Sequence, residues 1–239
     1  MLVLNGCSYT YGDELDDPST QCWGYHLAND LNLPLMNLAE GGSCNSKIYR
    51  DTIDFLMSHN TEDITQLIIM WSAFERFEVY DRTVDLPSDP ELSLIQMSPS
   101  RTNSKNKMIS KNKESWEGFY ADLYNTHTGI VHTLTYMSSI AWICHRLNIK
   151  VLQTWFHPFC VRVLSELYAK EPKTKAEAKL IRYVRNKLDF LPNNNKVGFL
   201  DDIMTFDDFT ITNKYKLCPE GHPGAEAHKA FSKYLGGYL

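Results

Sequence analysis

Leu2-Val3-Leu4-Asn5-Gly6-Cys7-Ser8-Tyr9-Thr10-Tyr11-Gly12 is the stretch that decides how the chain is read. Leu2 to Asn5 is a short apolar run that stops at Gly6, as a buried strand entering a loop would. A serine on the turn leaving a central strand can point its hydroxyl into the crevice beyond the strand ends. Its own main-chain N–H can help hold an oxyanion there. Two other readings stand beside this one. Ser8 and Thr10 can serve as plain caps of a helix or turn, and a Ser/Thr/Gly loop in this place can cradle a flavin phosphate.

Outward from this segment, apolar runs alternate with helical spacing. Tyr25, Leu27, Ala28 and Leu31 space a helix over 24–33, and Leu35 to Ala39 reads as a second strand closed by Gly41-Gly42. Ser43 is the expected cap of a helix carrying Ile48, Ile53, Leu56 and Met57. Gln66 to Trp71 is continuously apolar after its first residue, the mark of a central strand covered on both faces. A long helical stripe over 116–147 has an expected break within Thr126 to Gly129. A strand over 150–156, a helix over 160–170, a charged surface helix over 173–188, a strand near 197–200 and a terminal helix over 223–235 complete the pattern. Such alternation predicts an α/β fold with a mainly parallel sheet of about five strands and helices on both faces. No shift in composition divides the chain, so one domain over 1–239 is expected. A polar insertion at about 84–113 interrupts it, with Arg101, Lys105, Lys107, Lys111 and Lys113 in its aperiodic core.

The 239 residues carry 24 Lys+Arg against 29 Asp+Glu, a net charge of −5 that disfavours general nucleic-acid binding. The insertion and the charged helix near residue 180 hold much of the positive charge, and a partner is sought there first. No run approaches the length of a membrane span. The start Met-Leu-Val-Leu-Asn-Gly lacks a basic leader, so a cytoplasmic protein with reduced cysteines is expected. The six cysteines contain no C-x-x-C pair, and no metal-ligand spacing occurs. Cys7 and Cys44 read as small buried fillers rather than reactive thiols.

Two further segments fall at strand ends, where ligands of parallel α/β sheets sit. Asn37-Leu-Ala-Glu-Gly-Gly-Ser-Cys-Asn45 follows strand two, and its glycines let the main chain approach a ligand. Glu220-Gly221-His222-Pro223 precedes the terminal helix, with Pro223 suited to the first helical position and His222 at the helix entrance. A histidine there can act as general base for a serine. His26, His59, His127, His132 and His145 lie on helical stretches or in a linker and read as structural. His157 reads as a loop residue before Pro158, close to the crevice.

Taken together, the three segments resemble the SGNH (GDSL-type) hydrolase superfamily of esterases and lipases. Its first block, G-D-S-x-x-x-G, matches Gly6 to Gly12 with Ser8 in the nucleophile position and Cys7 replacing the aspartate. The resemblance implies a three-layer α/β/α, flavodoxin-like fold, an oxyanion glycine at Gly42, and His222 as the base of the D-x-x-H block. The aspartate of that block is Pro219 here, so Glu220 or a main-chain carbonyl is left to orient His222. The third block, usually G-x-N-D, is replaced by Trp71-Ser72-Ala73-Phe74-Glu75-Arg76-Phe77. The third oxyanion donor would then be Ser72, Arg76 or Asn45, or be missing. The W-S-x-x-x-R-F form resembles a variant of phage-encoded members, which would allow association with a virion. The resemblance implies a cofactor-free esterase acting on small acyl esters, O-acetyl groups on glycans among them, with Tyr9, Tyr11, Trp71, Phe74 and Trp155 available to stack on sugar rings. A non-catalytic carbohydrate-binding or virion structural protein that keeps the fold is the alternative.

Overall fold

The computed structural model describes residues 1–80, 94–99, 112–198 and 200–239. Five parallel strands form the central sheet: β1 (Leu2–Gly6), β2 (Leu35–Asn37), β3 (Gln66–Trp71), β6 (Lys150–Trp155) and β7 (Asn195–Val197), in the spatial order β2-β1-β3-β6-β7. This is the flavodoxin-like order, in which the crevice opens where the direction of winding reverses, between β1 and β3.

Side-chain alternation along the strands builds two apolar layers. On one face Val3, Leu67, Ile69, Trp71, Val151 and Trp155 pack against α4 (Asn45–Ser58), α6 (Thr126–Arg146), α7 (Pro158–Ala169) and α8 (Lys175–Asp189). On the other, Leu2, Leu4, Ile68, Met70 and Leu152 meet α3 (Trp23–Asp30), α9 (Phe206–Thr212) and α10 (Ala225–Gly236). The unbroken apolar run of β3 follows from this double coverage, and all six of its residues are buried. Two short helices, α1 (Ser8–Tyr11) and α2 (Pro18–Gln21), lie between β1 and α3.

Several expected boundaries shift for identifiable reasons. Helix α4 starts at Asn45 with Cys44, not Ser43, as its N-terminal flank. The long stripe breaks at Tyr124–Asn125: α5 (Lys113–Gly118) runs into a π turn (Phe119–Leu123), and α6 begins afresh where the Asn125 side chain accepts from the His127 N–H at 2.8 Å. Pro223 is not the first residue of the last helix. It bridges to Leu217 in an antiparallel pair, and α10 starts two residues later. Most of the 84–113 insertion lies outside the described residues. Within it, Leu94–Met97 is a strand (β5) paired antiparallel with β4 (Phe77–Tyr80), and buried Met97 packs on Phe77, Val79 and Trp116. The charged helix is partly tied down: Arg185 donates to the Tyr168 and Lys170 carbonyls, and Lys187 to Ser138 Oγ. No helix among the described residues is long and apolar enough to cross a membrane.

Helix α6 rests directly on the loop leaving β3, and a glycine permits it. A methyl group on Gly129 would lie 2.2 Å from the Phe74 carbonyl oxygen. Alanine is the better helix former by about 1 kcal/mol, yet overpacking against main chain costs about 1–3 kcal/mol. Gly129→Ala is therefore expected to lower stability in urea denaturation, against its propensity; a rise in the midpoint would refute the close packing.

Candidate active site

Beyond the end of β1 the chain turns at Cys7 and enters α1 with Ser8 as its first residue. Gly12 closes that turn in the left-handed region at φ 96°, where its N–H donates to the Ser8 carbonyl at 2.8 Å. Ser8 is mostly buried, and the side chain of Asn37, at the end of β2, ties the second loop to this turn by donating to the Thr10 carbonyl at 3.3 Å.

Just past Gly12, Glu14 sits at φ 68°, a conformation that a glutamate adopts only when its surroundings impose it. Its carboxylate takes three hydrogen bonds from the loop before α10. Oε1 accepts from the Glu220 main-chain N–H at 2.7 Å, and Oε2 accepts from the His222 main-chain N–H at 3.1 Å and meets the His222 Nδ1 at 2.8 Å. Burial pushes the Glu14 carboxyl up, but these hydrogen bonds and the His222 charge outweigh it and leave it below the usual glutamate value. An ionised carboxylate only accepts, so Nδ1 carries a proton, and in the neutral ring Nε2 is the nitrogen with the free lone pair. That is the tautomer of a general base.

The carboxylate facing His222 is thus Glu14, and Glu220 contributes only its main-chain N–H while its side chain is exposed. Sequence reasoning missed Glu14 because its partner lies 208 positions away. The one local sign was an acidic pair, Asp13-Glu14, directly after the Ser8 turn. Neighbouring Asp13 turns its carboxylate to Gly41, and burial raises its carboxyl above the ordinary value. The histidine loop is tight: the Cys218 N–H donates to the His222 carbonyl at 2.8 Å. The Tyr9 ring connects the two sides, 5.3 Å from His222 and 4.7 Å from Phe156 between centroids.

The remaining expected site residues divide. The main-chain N–H of Gly42, in the turn after β2, donates to no described residue. Asn45 is not available as an oxyanion donor. It is buried, its amide nitrogen donates to the Ser72 carbonyl and to Thr133 Oγ1, and its oxygen accepts from the Ser72 N–H at 2.7 Å. The Ser72 main-chain N–H is occupied by the same pairing, and its hydroxyl is buried without a partner among the described residues. Arg76 makes no ion pair with a described residue. Its guanidinium lies over the Phe156 ring at 5.5 Å, with Nη1 buried and without a hydrogen-bond partner among the described residues. His157 caps α7, its Nδ1 accepting from the Phe159 N–H at 3.1 Å, and its Nε2 stands 3.6 Å from Asp207. Trp71, Phe74 and Trp155 are core residues, whereas Tyr11 stays exposed. Cys7 and Cys44 are fully buried, and burial raises the Cys44 thiol.

Comparison with solved structures finds the same fold elsewhere. A protein assigned to the G-D-S-L family of lipolytic proteins from Desulfitobacterium hafniense DCB-2 superposes with a TM-score of 0.50 at 10% identity, covering 100% of this chain and 98% of the other. A lipase from a goat rumen metagenome does so at 0.50 and 14%, covering 99% and 97%. At these identities the likeness is one of fold, and the fold is that of the SGNH (GDSL-type) hydrolases. No curated protein matches the sequence. Residues 12–147 match the profile of a family of unknown function, DUF6071; with more than half of its length covered, the chain belongs to that family.

Proposed function

We propose that the protein is a serine esterase that cleaves small acyl esters through an acyl-enzyme on Ser8. The observation that carries this reading is the Glu14–His222 pair: it fixes the histidine in the tautomer that can take a proton, at the strand ends where Ser8 begins α1. His222 Nε2 removes the Ser8 proton as Oγ attacks the ester carbonyl. It then returns the proton to the leaving alcohol, and water repeats the sequence on the acyl-enzyme. The main-chain N–H groups of Ser8 and Gly42 stabilise the oxyanion. With Asn45 and the Ser72 N–H committed to each other, the hole works with two donors. Acetyl esters are the first substrates to test, O-acetyl groups on glycans among them, and exposed Tyr11 offers a ring for a sugar. The test is covalent labelling. A fluorophosphonate probe is expected to modify the wild type at Ser8 and to leave Ser8→Ala unmodified. Failure of the wild type to label, together with p-nitrophenyl acetate hydrolysis equal to that of Ser8→Ala, would overturn the assignment in favour of a non-catalytic carbohydrate-binding role.

A further inference from the structure

Between α4, α6 and the loop that joins β3 to β4 lies a cavity of about 360 Å³. Its floor includes Asn45 and Thr133, the pair that anchors the end of β3 through Ser72. Its walls are rich in rings, among them Phe74, Phe77, Phe119 and Tyr136. Among the described residues two charged side chains line it, and they differ in state. Glu78 is neutralised, with both oxygens held by Arg50 at 2.8 and 3.0 Å and one also taking the Ser46 hydroxyl. Arg76 has no such partner: its guanidinium forms no hydrogen bond or ion pair with a described residue, and its Nη1 is shielded from solvent.

A buried N–H donor on a permanent cation costs free energy until an acceptor reaches it. Phe156 holds the guanidinium plane in place from one side. The same Phe156 ring packs on Tyr9, which packs on His222, so Arg76 joins the cavity to the catalytic end by successive side-chain contacts. A guanidinium presents paired donors that match a carboxylate in geometry and charge. Among the described lining residues there is one arginine without an ion pair and no lysine, which suits a monoanion, and the ring-lined walls suit a flat apolar body attached to it. The volume falls in the small-molecule range of ~300–1,000 Å³.

We infer that this cavity binds a free carboxylate on a ring-bearing group, with Arg76 as its counter-ion. The inference deepens the esterase reading and rests on it for one consequence: the ester substrate carries a carboxylate away from the scissile bond. The binding itself is measurable without turnover. In calorimetric titration, benzoate is expected to bind the wild type at least tenfold more tightly than benzamide, its uncharged counterpart, and at least tenfold more tightly than it binds Arg76→Met. The benzamide comparison needs no variant and so stands even if Arg76→Met folds poorly. Equal affinity for benzoate and benzamide, or no benzoate binding, would overturn the inference. If hydrolysis occurs, 4-acetoxybenzoate is expected to exceed phenyl acetate in kcat/KM by tenfold or more. A protein that labels at Ser8 but ignores benzoate refutes the carboxylate site alone. One that binds benzoate through Arg76 but never labels refutes the esterase reading and leaves the site standing.

Discussion

Replacing Glu14 with glutamine is expected to lower kcat for p-nitrophenyl acetate by about 10⁴-fold, the loss found when the carboxylate of a serine-protease triad is neutralised or removed. The amide presents an N–H toward His222 Nδ1, which must then accept; the ring proton moves to Nε2, and the base is lost. Glutamine still accepts one of the two main-chain N–H groups that dock the histidine loop, so the fold should persist and KM should change only a few-fold. Glu14→Asp keeps the charge on a shorter arm and is expected to recover at least tenfold over Glu14→Gln. Glu220→Gln should leave kcat within about twofold, since only the main chain of that residue touches Glu14. A large loss in Glu220→Gln beside an active Glu14→Gln would reverse the assignment. A purely structural role for Glu14 would lower the melting temperature without the kcat-specific loss and without rescue by aspartate.

The contrast between these two carboxylates shows what the sequence can carry. The strands were legible because β3 is buried on both faces and its apolar run is therefore unbroken. The placement of Ser8 beyond β1, of Gly42 beyond β2 and of His222 before α10 was legible because each follows a strand or precedes a helix, a place defined by local pattern. Glu14 was not, because pairing it with a loop 208 residues away depends on the closed fold. Asn45 failed in the opposite sense: it was one of three residues offered as the third donor, but Thr133 on α6 and the end of β3 claim its amide. Pro223 has the chemistry of a first helical residue, and the pairing of its strand-like segment with Leu217 overrides that preference. Strands β4 and β5 are four residues each, so they carry too little periodicity to separate from a polar loop.

The folded protein is expected to lose about 2 kcal/mol of stability between pH 8 and pH 5 through one buried histidine. His228, on α10, has no solvent exposure; its Nδ1 accepts from the Trp23 N–H at the start of α3 at 3.0 Å, and its ring stands edge-on to Phe206. Burial, reinforced by the charges of His26 and His222, pulls its pKa down to about 3. The unfolded chain takes up a proton near pH 6.5 that the native ring refuses. Below that value the unfolded state binds more protons, and stability falls with pH at about 1.4 kcal/mol per unit. The stabilisation is therefore complete above pH 6.5 and is lost progressively toward pH 3. Glu14, Asp17 and Glu177, whose carboxyls are held below their ordinary values, lose their stabilising contributions in a lower window, below about pH 4.5. Asp13 and Asp207 are raised by burial and act in the opposite direction. His26, also lowered by burial, acts in the same direction as His228. Comparison with His228→Asn and His228→Gln, which keep an acceptor for the Trp23 N–H, cancels these shared contributions. Urea midpoints for both variants are expected to start lower at pH 8 and to decline less steeply to pH 5. If the wild type and both variants decline in parallel, the acid sensitivity resides elsewhere, and α10 does not depend on a neutral His228 for its contact with α3.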